Sequence, residues 1–119
     1  MIVSFDFDDT LANNVVCKKT RTVVLELNHA MYDILLNHYN NGDECIILTA
    51  RDEDHFSISE IDDFLIKHNL YDLFNKIIFT NNELKGRYAK HHNVDLHYDD
   101  NEEQLNDVML HGVKPFQEK

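Results

Sequence analysis

Asp6, Asp8 and Asp9 crowd together directly after the apolar run Ile2-Val3-Ser4-Phe5, and Thr10 follows them. Carboxylates this close repel one another unless a cation or a proton intervenes. A second acidic pair, Asp99-Asp100, closes the run Val94-Asp95-Leu96-His97-Tyr98. Oxygen donors suit a hard cation, and Mg²⁺ binds through a few carboxylates together with waters and substrate phosphate. Asp6, Asp8, Asp99 and Asp100 are therefore the candidate metal ligands, with the choice between direct ligation by Asp99 or Asp100 left open. Zinc would call for Cys or His donors, and the strand ends supply few. A carboxylate beside Mg²⁺ can attack phosphorus and form an aspartyl-phosphate, while a second acid exchanges the proton. A hydroxyl and a cation can hold the phosphoryl oxygens, where transition-state charge spreads. Thr49 offers the hydroxyl, and Lys85 or Lys90 the cation.

These residues need elements that bring them together. A first strand is predicted over 2–6, then a connection over 12–22 with turn-like Asn13-Asn14 and the basic cluster Lys18, Lys19 and Arg21. Val24, Leu27, Met31, Ile34, Leu35 and Tyr39 recur at helical spacing and predict a helix over 23–40, ended by Asn41-Gly42. Cys45 to Leu48 reads as a second strand. The pattern Ser57-Ile58-Ser59-Glu60 predicts a capping box at the start of the next helix, with Ile61, Phe64, Leu65 and His68 on its buried face. Strands over 76–79 and 94–98, helices over 83–92 and 102–111, and a short strand over 113–116 complete the chain. This alternation predicts one α/β domain over 1–119, with a parallel sheet of four to five strands and helices on both faces. In such a sheet Asp6/Asp8/Asp9/Thr10, Thr49/Arg51 and Asp99/Asp100 converge at one edge, where ligands bind.

The charge narrows the partners. The chain carries 22 acidic residues against 11 Lys and Arg, a formal charge of −11. That argues against broad electrostatic binding to nucleic acid or an anionic membrane, though not against a local basic patch. With 43% apolar residues there is enough to fill one core. Cys17 and Cys45 lack metal-ligand spacing, and Cys45 reads as a small buried hydrophobe. The N-terminus runs straight into an acid-bearing strand. No signal peptide, no bilayer-spanning segment and a cytoplasmic location are expected.

Phe5-Asp6-Phe7-Asp8-Asp9-Thr10-Leu11 resembles the first motif of the haloacid dehalogenase (HAD) superfamily of phosphohydrolases. Ile46-Ile47-Leu48-Thr49-Ala50-Arg51 resembles the second motif and Leu96-His97-Tyr98-Asp99-Asp100 the fourth, all in order and over nearly the whole chain. The resemblance implies a Mg²⁺-dependent phosphomonoester hydrolase with a Rossmann-like core. It implies Asp6 as nucleophile, Asp8 as acid/base, Thr49 and Lys85 as the remaining catalytic residues, and Thr10 beside the substrate. Lys85 is preferred to Lys90 because it follows the third strand and opens a helix. The gaps at 12–22 and 80–84 are too short for the family's cap domains, so the chain resembles the capless subgroup. Within that subgroup Thr49-Ala50-Arg51 with Asp99-Asp100 is similar to the phosphatase domain of polynucleotide kinase-phosphatases, which carry Ser-Gly-Arg there. That likeness implies that Arg51 contacts the substrate phosphate or a neighbouring one, with its planar fork. It also implies a nucleotide or 3′-phosphorylated nucleic-acid substrate, which the acidic net charge makes less natural for a long polynucleotide.

Plainer readings exist for several of these residues. Asp9-Thr10 could cap a turn, Thr49 a helix, and Arg51 could pair with Asp52 or Asp54. Asn101 is preferred to Asp100 as cap of the last helix. His91, His92 and His97 make no convincing ligand set, and the histidines read as surface or helix-packing residues. A receiver-like phosphoacceptor domain uses the same residue types in a different chain order, and a degenerate HAD-like binding module would not need the intact acids.

Overall fold

A computed structural model describes residues 1–116; the last three residues of the domain as read from sequence lie outside the described residues. Five strands form one parallel sheet in the order β5-β4-β1-β6-β7. They are β1 (Ile2–Phe5), β4 (Glu44–Thr49), β5 (Ile77–Phe79), β6 (Leu96–Tyr98) and β7 (Lys114–Phe116). The central strands read as near-continuous apolar runs because helices cover both of their faces. Helices α1 (His29–Asn40) and α2 (His55–Lys67) bury Met31, Leu35, Ile61, Phe64 and Leu65 on Val3, Phe5 and Phe7. Helices α3 (Gly86–His91) and α4 (Glu102–Leu110) cover the other face with Ala89 and Val108, against Ile46 and Leu48. The result is the expected Rossmann-like three-layer α/β domain. No helix among the described residues is long and apolar enough to cross a membrane.

The caps follow the local chemistry. Asn28, Asp54 and Asn101 each accept a hydrogen bond from the backbone N–H three residues on, at 3.3, 2.8 and 3.0 Å. Asn101 is thus the cap of α4, and Glu102 and Glu103 in its first turn complement the helix dipole. Helix α2 begins at His55 on Asp54, two residues ahead of the expected Ser57 box; the stronger carboxylate acceptor sets the start. After α1, Gly42 takes φ +84°, a left-handed stop that favours glycine.

The expected helix over 23–40 and connection over 12–22 are both corrected. Residues Ala12–Cys17 (β2) and Thr22–Leu27 (β3) form an antiparallel hairpin, and α1 begins only at His29. Val24 and Leu27 fit a helical period, but Val15 pairs with Val24 and Val16 with Val23. β-branched residues facing each other across strands favour the ladder over the helix. Asn13 and Asn14 lie inside β2 rather than in a turn. The reversal comes at 18–21, where Arg21 adopts φ +56° and donates its N–H to the Cys17 carbonyl at 2.7 Å. The hairpin stands where a cap could have been inserted, and its basic tip, Lys18, Lys19 and Arg21, is exposed. The helix expected over 83–92 shortens to Gly86–His91, because Asn81 and Asn82 are left-handed and hold a loop before it.

Candidate active site

Strand β1 lies between β4 and β6, the point at which successive crossovers diverge to opposite sides of the sheet. Crevices in open α/β sheets form there, beyond the carboxyl ends of the strands. Phe5 is level with Ile47 on one side and Tyr98 on the other, and the Asp6 N–H donates to the Tyr98 carbonyl at 2.9 Å. Asp6 and Asp99 thereby emerge side by side. Thr49 ends β4 next to them, and the loop after β5 brings in Lys85. These residues, with Asp8, Ala50, Arg51, Asp100, Asn101 and Gln104, line a cavity of about 240 Å³. A larger groove of about 350 Å³, of mixed lining with Leu65, Phe74, Glu53 and Lys76 among its walls, sits at the β5 edge and lacks any such acid cluster.

Lys85 is the hub of the acid cluster. Its side chain is 2% exposed, and Nζ donates to Asp6 Oδ1 and to Asp99 Oδ2, both at 2.7 Å. Lys90 is exposed on α3 and does not share this place. Thr10 Oγ1 lies 3.1 Å from Asp6 Oδ2 and 3.3 Å from Asp100 Oδ1, so its hydroxyl ties the first acidic segment to the last. Asp6, Asp99 and Asp100 each offer an oxygen such that the three lie within 4.8 Å of one another.

Three carboxylates against one ammonium leave the pocket short of positive charge. Burial, reinforced by the Asp99 charge, pushes the Asp6 carboxyl well above its ordinary range despite the opposing pull of Lys85. Burial also raises Asp100. Asp99 is buried too, but its hydrogen bond from His97 and the Lys85 charge hold it well below the usual carboxylate range. Lys85 stays charged: burial works against the ammonium, and the charges of Asp6 and Asp99 more than offset it. A hard divalent cation fits this donor set, since it would supply the missing charge to oxygen ligands only.

No protein-family model matches the chain, and a comparison with curated proteins found no match. The chemistry of the site therefore rests on its own geometry.

Asp8 turns away from the cluster. Arg51 grips it with two hydrogen bonds of 2.8 Å, from Nε to Oδ2 and from Nη2 to Oδ1. The third guanidinium nitrogen, Nη1, reaches Glu60 on α2 at 2.6 Å, and the guanidinium lies 5.3 Å from the centre of the Phe7 ring. Asp52 and Asp54 are not its partners: Asp54 caps α2 and Asp52 accepts from Asn82. Despite partial burial, the Arg51 fork holds the Asp8 carboxyl below its ordinary value. The Asp8 side chain thus stands beside the expected ligand group rather than in it, because the chain turns out of β1 after Phe7. Thr49 Oγ1 accepts from the Arg51 N–H at 3.2 Å, which leaves its own proton to donate into the cavity. Asp9 adopts φ +59° and accepts from the Asn14 N–H at 3.0 Å, a turn role that also anchors the hairpin.

Several contributors escaped the sequence. His97 is not a surface or helix-packing residue; it is fully buried and bonded to Asp99 at 2.8 Å and to Ser4 at 2.6 Å. His38 likewise bridges Asp43 and Tyr98, at 2.8 and 2.9 Å. Glu60 reads as part of a capping box in sequence and proves to be the second partner of Arg51. Gln104 and Asp107 accept the backbone N–H groups of Lys85 and Gly86 at 2.9 and 2.7 Å, which fixes the start of α3. Gly86 is required there, as a Cβ would come within 2.6 Å of the Asp107 backbone carbonyl oxygen. The two-residue spacing of His97 and Asp99 on a strand was the one available signal, since it puts both on one face.

Proposed function

We propose that the protein is a capless HAD-type phosphomonoesterase that uses Mg²⁺ and an aspartyl-phosphate on Asp6. The observation that carries this reading is the meeting of Asp6, Lys85, Asp99 and Asp100 at the switch point of the sheet, with Thr49 beside them. Asp6, Asp99 and Asp100 would hold the ion, which when bound offsets the charge of the carboxylates and of the phosphoryl oxygens. Lys85 keeps Asp6 oriented, and the Thr49 hydroxyl donates to a phosphoryl oxygen. A carboxylate oxygen of Asp6 attacks phosphorus, the phosphorus–oxygen bond to the leaving group breaks, and that oxygen takes a proton from Asp8. Water then attacks phosphorus, gives its proton to Asp8, and releases inorganic phosphate with Asp6 restored.

The Arg51–Asp8 pair adds a gate to this scheme. An Asp8 held ionised by the guanidinium can accept a proton but not donate one. A substrate phosphate competing for the fork would release Asp8, let its carboxyl rise and arm it as the acid. The open cavity and the exposed basic hairpin tip favour an anionic substrate that extends beyond one phosphate, a nucleotide or a 3′-phosphorylated nucleic-acid end. The two free thiols suit a reducing, cytoplasmic setting.

Asp6→Asn is the decisive variant. It abolishes hydrolysis of an aryl phosphate in the presence of Mg²⁺, while the circular dichroism spectrum stays that of the unaltered protein. Retained turnover in the purified, folded variant overturns the assignment of Asp6. A screen across mononucleotides, 3′-phosphorylated oligonucleotides and sugar phosphates tests the substrate class, and a preference for sugar phosphates removes the nucleotide reading.

A further inference from the structure

The site described above continues one layer into the sheet. Ser4 and Asp6 are two residues apart on and just beyond β1; His97 and Asp99 stand likewise on β6. Ser4 is level with His97 in the parallel ladder, so the four side chains form a polar block on the sheet face that α3 and α4 cover. The next residue in that row is Ile46 of β4, a core residue, and Ser4 is level with it too. Apolar packing would be the ordinary choice at Ser4 and His97, both 0% exposed.

The hydrogen bonds give the block a direction. A carboxylate only accepts, so His97 Nε2 carries a proton and donates it to Asp99 Oδ2 at 2.8 Å. In that tautomer Nδ1 accepts from the Ser4 hydroxyl at 2.6 Å. Asp99 Oδ2 also accepts from Lys85 Nζ at 2.7 Å, and Oδ1 accepts from the Asn101 N–H at 3.1 Å. Asp99 is thus held at both oxygens. His97 fixes it from beneath, and Ser4 holds the His97 ring in orientation.

We infer that Ser4 and His97 are positioning residues that orient Asp99 for a divalent cation. The inference rests on the reading of the acid cluster as a Mg²⁺ site. It goes beyond that reading in giving the buried Ser4–His97 pair a share in metal affinity rather than in packing alone. Groups that orient metal ligands in this way contribute roughly 10- to 100-fold in affinity.

Two substitutions separate the ring's two nitrogens. Gln can place a donor near the position of Nε2 and keep the bond to Asp99; Asn places its amide near Nδ1 and loses that bond. Calorimetric titration with MgCl₂ alone is run on the unaltered protein, His97→Gln and His97→Asn, with thermal melts in chelator alongside. The expected result is Mg²⁺ binding weakened about 10-fold or more in His97→Asn and changed less than about threefold in His97→Gln. A packing role alone lowers the melting temperature of both and leaves Mg²⁺ affinity alone. Unchanged affinity in His97→Asn, or equal loss in both variants, overturns the positioning role. Should His97→Asn fail to fold, Ser4→Ala, which removes the anchor at Nδ1 and frees the ring to tilt, is expected to weaken Mg²⁺ by about threefold or more, and no change there overturns the inference. Absence of Mg²⁺ binding by the unaltered protein instead overturns the reading of the acid cluster, and the positioning role with it.

Discussion

Lys85→Met tests the electrostatic account of the site most directly. The substitution keeps the length and volume of the side chain and removes only the ammonium. Each Nζ–oxygen contact of 2.7 Å corresponds to a gross attraction of about 6 kcal/mol at an effective dielectric constant near 20. Desolvation of the three charges offsets most of that, and removing one partner of a buried ion pair costs about 3–5 kcal/mol net. Here the low end applies, because burial already raises the Asp6 carboxyl and loss of Lys85 raises it further, so that it can take up a proton in place of the missing partner. For 119 residues, an unfolding entropy of about 2.1 cal/mol/K per residue turns about 3 kcal/mol into a fall in melting temperature of about 12 °C. The assay is a thermal melt in chelator near neutral pH. Loss of the same group from the reaction is expected to lower kcat about 10²- to 10³-fold, read with an aryl phosphate at saturating Mg²⁺. A melting temperature within about 3 °C of the unaltered protein refutes the reasoning, since it would mean that the carboxylates do not depend on Lys85.

Three further predictions bear on neighbouring parts of the site. In chelator, Asp6 binds its proton more tightly folded than unfolded, so the stability it contributes is present at low pH and is lost as pH rises through its raised value; Mg²⁺ needs the ionised form. The gain in melting temperature on adding Mg²⁺ is therefore expected to grow from pH 5 to pH 8, and a gain that shrinks contradicts the charge balance drawn here. Arg51→Lys cannot hold Asp8 bidentately and Glu60 as well, so kcat/KM is expected to fall about 10-fold. Asp8 is then no longer held low, and the alkaline limb of the kcat/KM profile, which reports the protonated acid, moves to higher pH; an unmoved limb argues against Asp8 as the titrating acid. Replacing Lys18, Lys19 and Arg21 together by Gln is expected to raise KM for a 3′-phosphorylated oligonucleotide and leave an aryl phosphate untouched. Three single-strand phosphate contacts predict about a 20-fold loss of affinity between 50 and 200 mM salt in the unaltered protein, largely absent in the variant.

The layered fold and the meeting place of the site were legible because both depend on short-range patterns. Apolar runs ending in Asp6, Thr49 and Asp99 announce strand ends, and a parallel sheet brings such ends to one edge. The hairpin was not legible because Val24 and Leu27 happen to fit a helical period that continues into Met31 and Leu35. What decided the matter was Val15 and Val16 across the turn, a pairing between segments that no local window contains. The same holds for Arg51. Its true partners, Asp8 and Glu60, are 43 positions earlier and nine later, whereas sequence reading offers the adjacent acids. His97 was misread because a lone histidine on a strand carries no sign of its partners until Ser4 is known to lie level with it.

The two faces of the sheet divide the labour of the fold. Along β1 and just past it, Val3, Phe5 and Phe7 point to the side of α1 and α2, where they join Met31, Leu35, Ile61, Phe64 and Leu65. Phe5 stacks on Tyr98 at a centroid distance of 5.1 Å, and Phe7 meets Phe64 edge-on at 5.3 Å. On the opposite side the alternating residues are Ser4 and Asp6, and the apolar cluster there is confined to smaller contacts around Ile46, Leu48, Ala89 and Val108. Burying a large apolar side chain stabilises by about 1.5–3 kcal/mol, whereas burying charge without full pairing opposes folding. A single strand that alternates the two therefore anchors the domain through one face while the other holds an incompletely neutralised cluster. That arrangement gives the carboxylates rigid supports on β1 and β6. It also explains why the charge deficit can persist at the edge of a well-packed core: the stabilising contacts do not run through the residues that carry it.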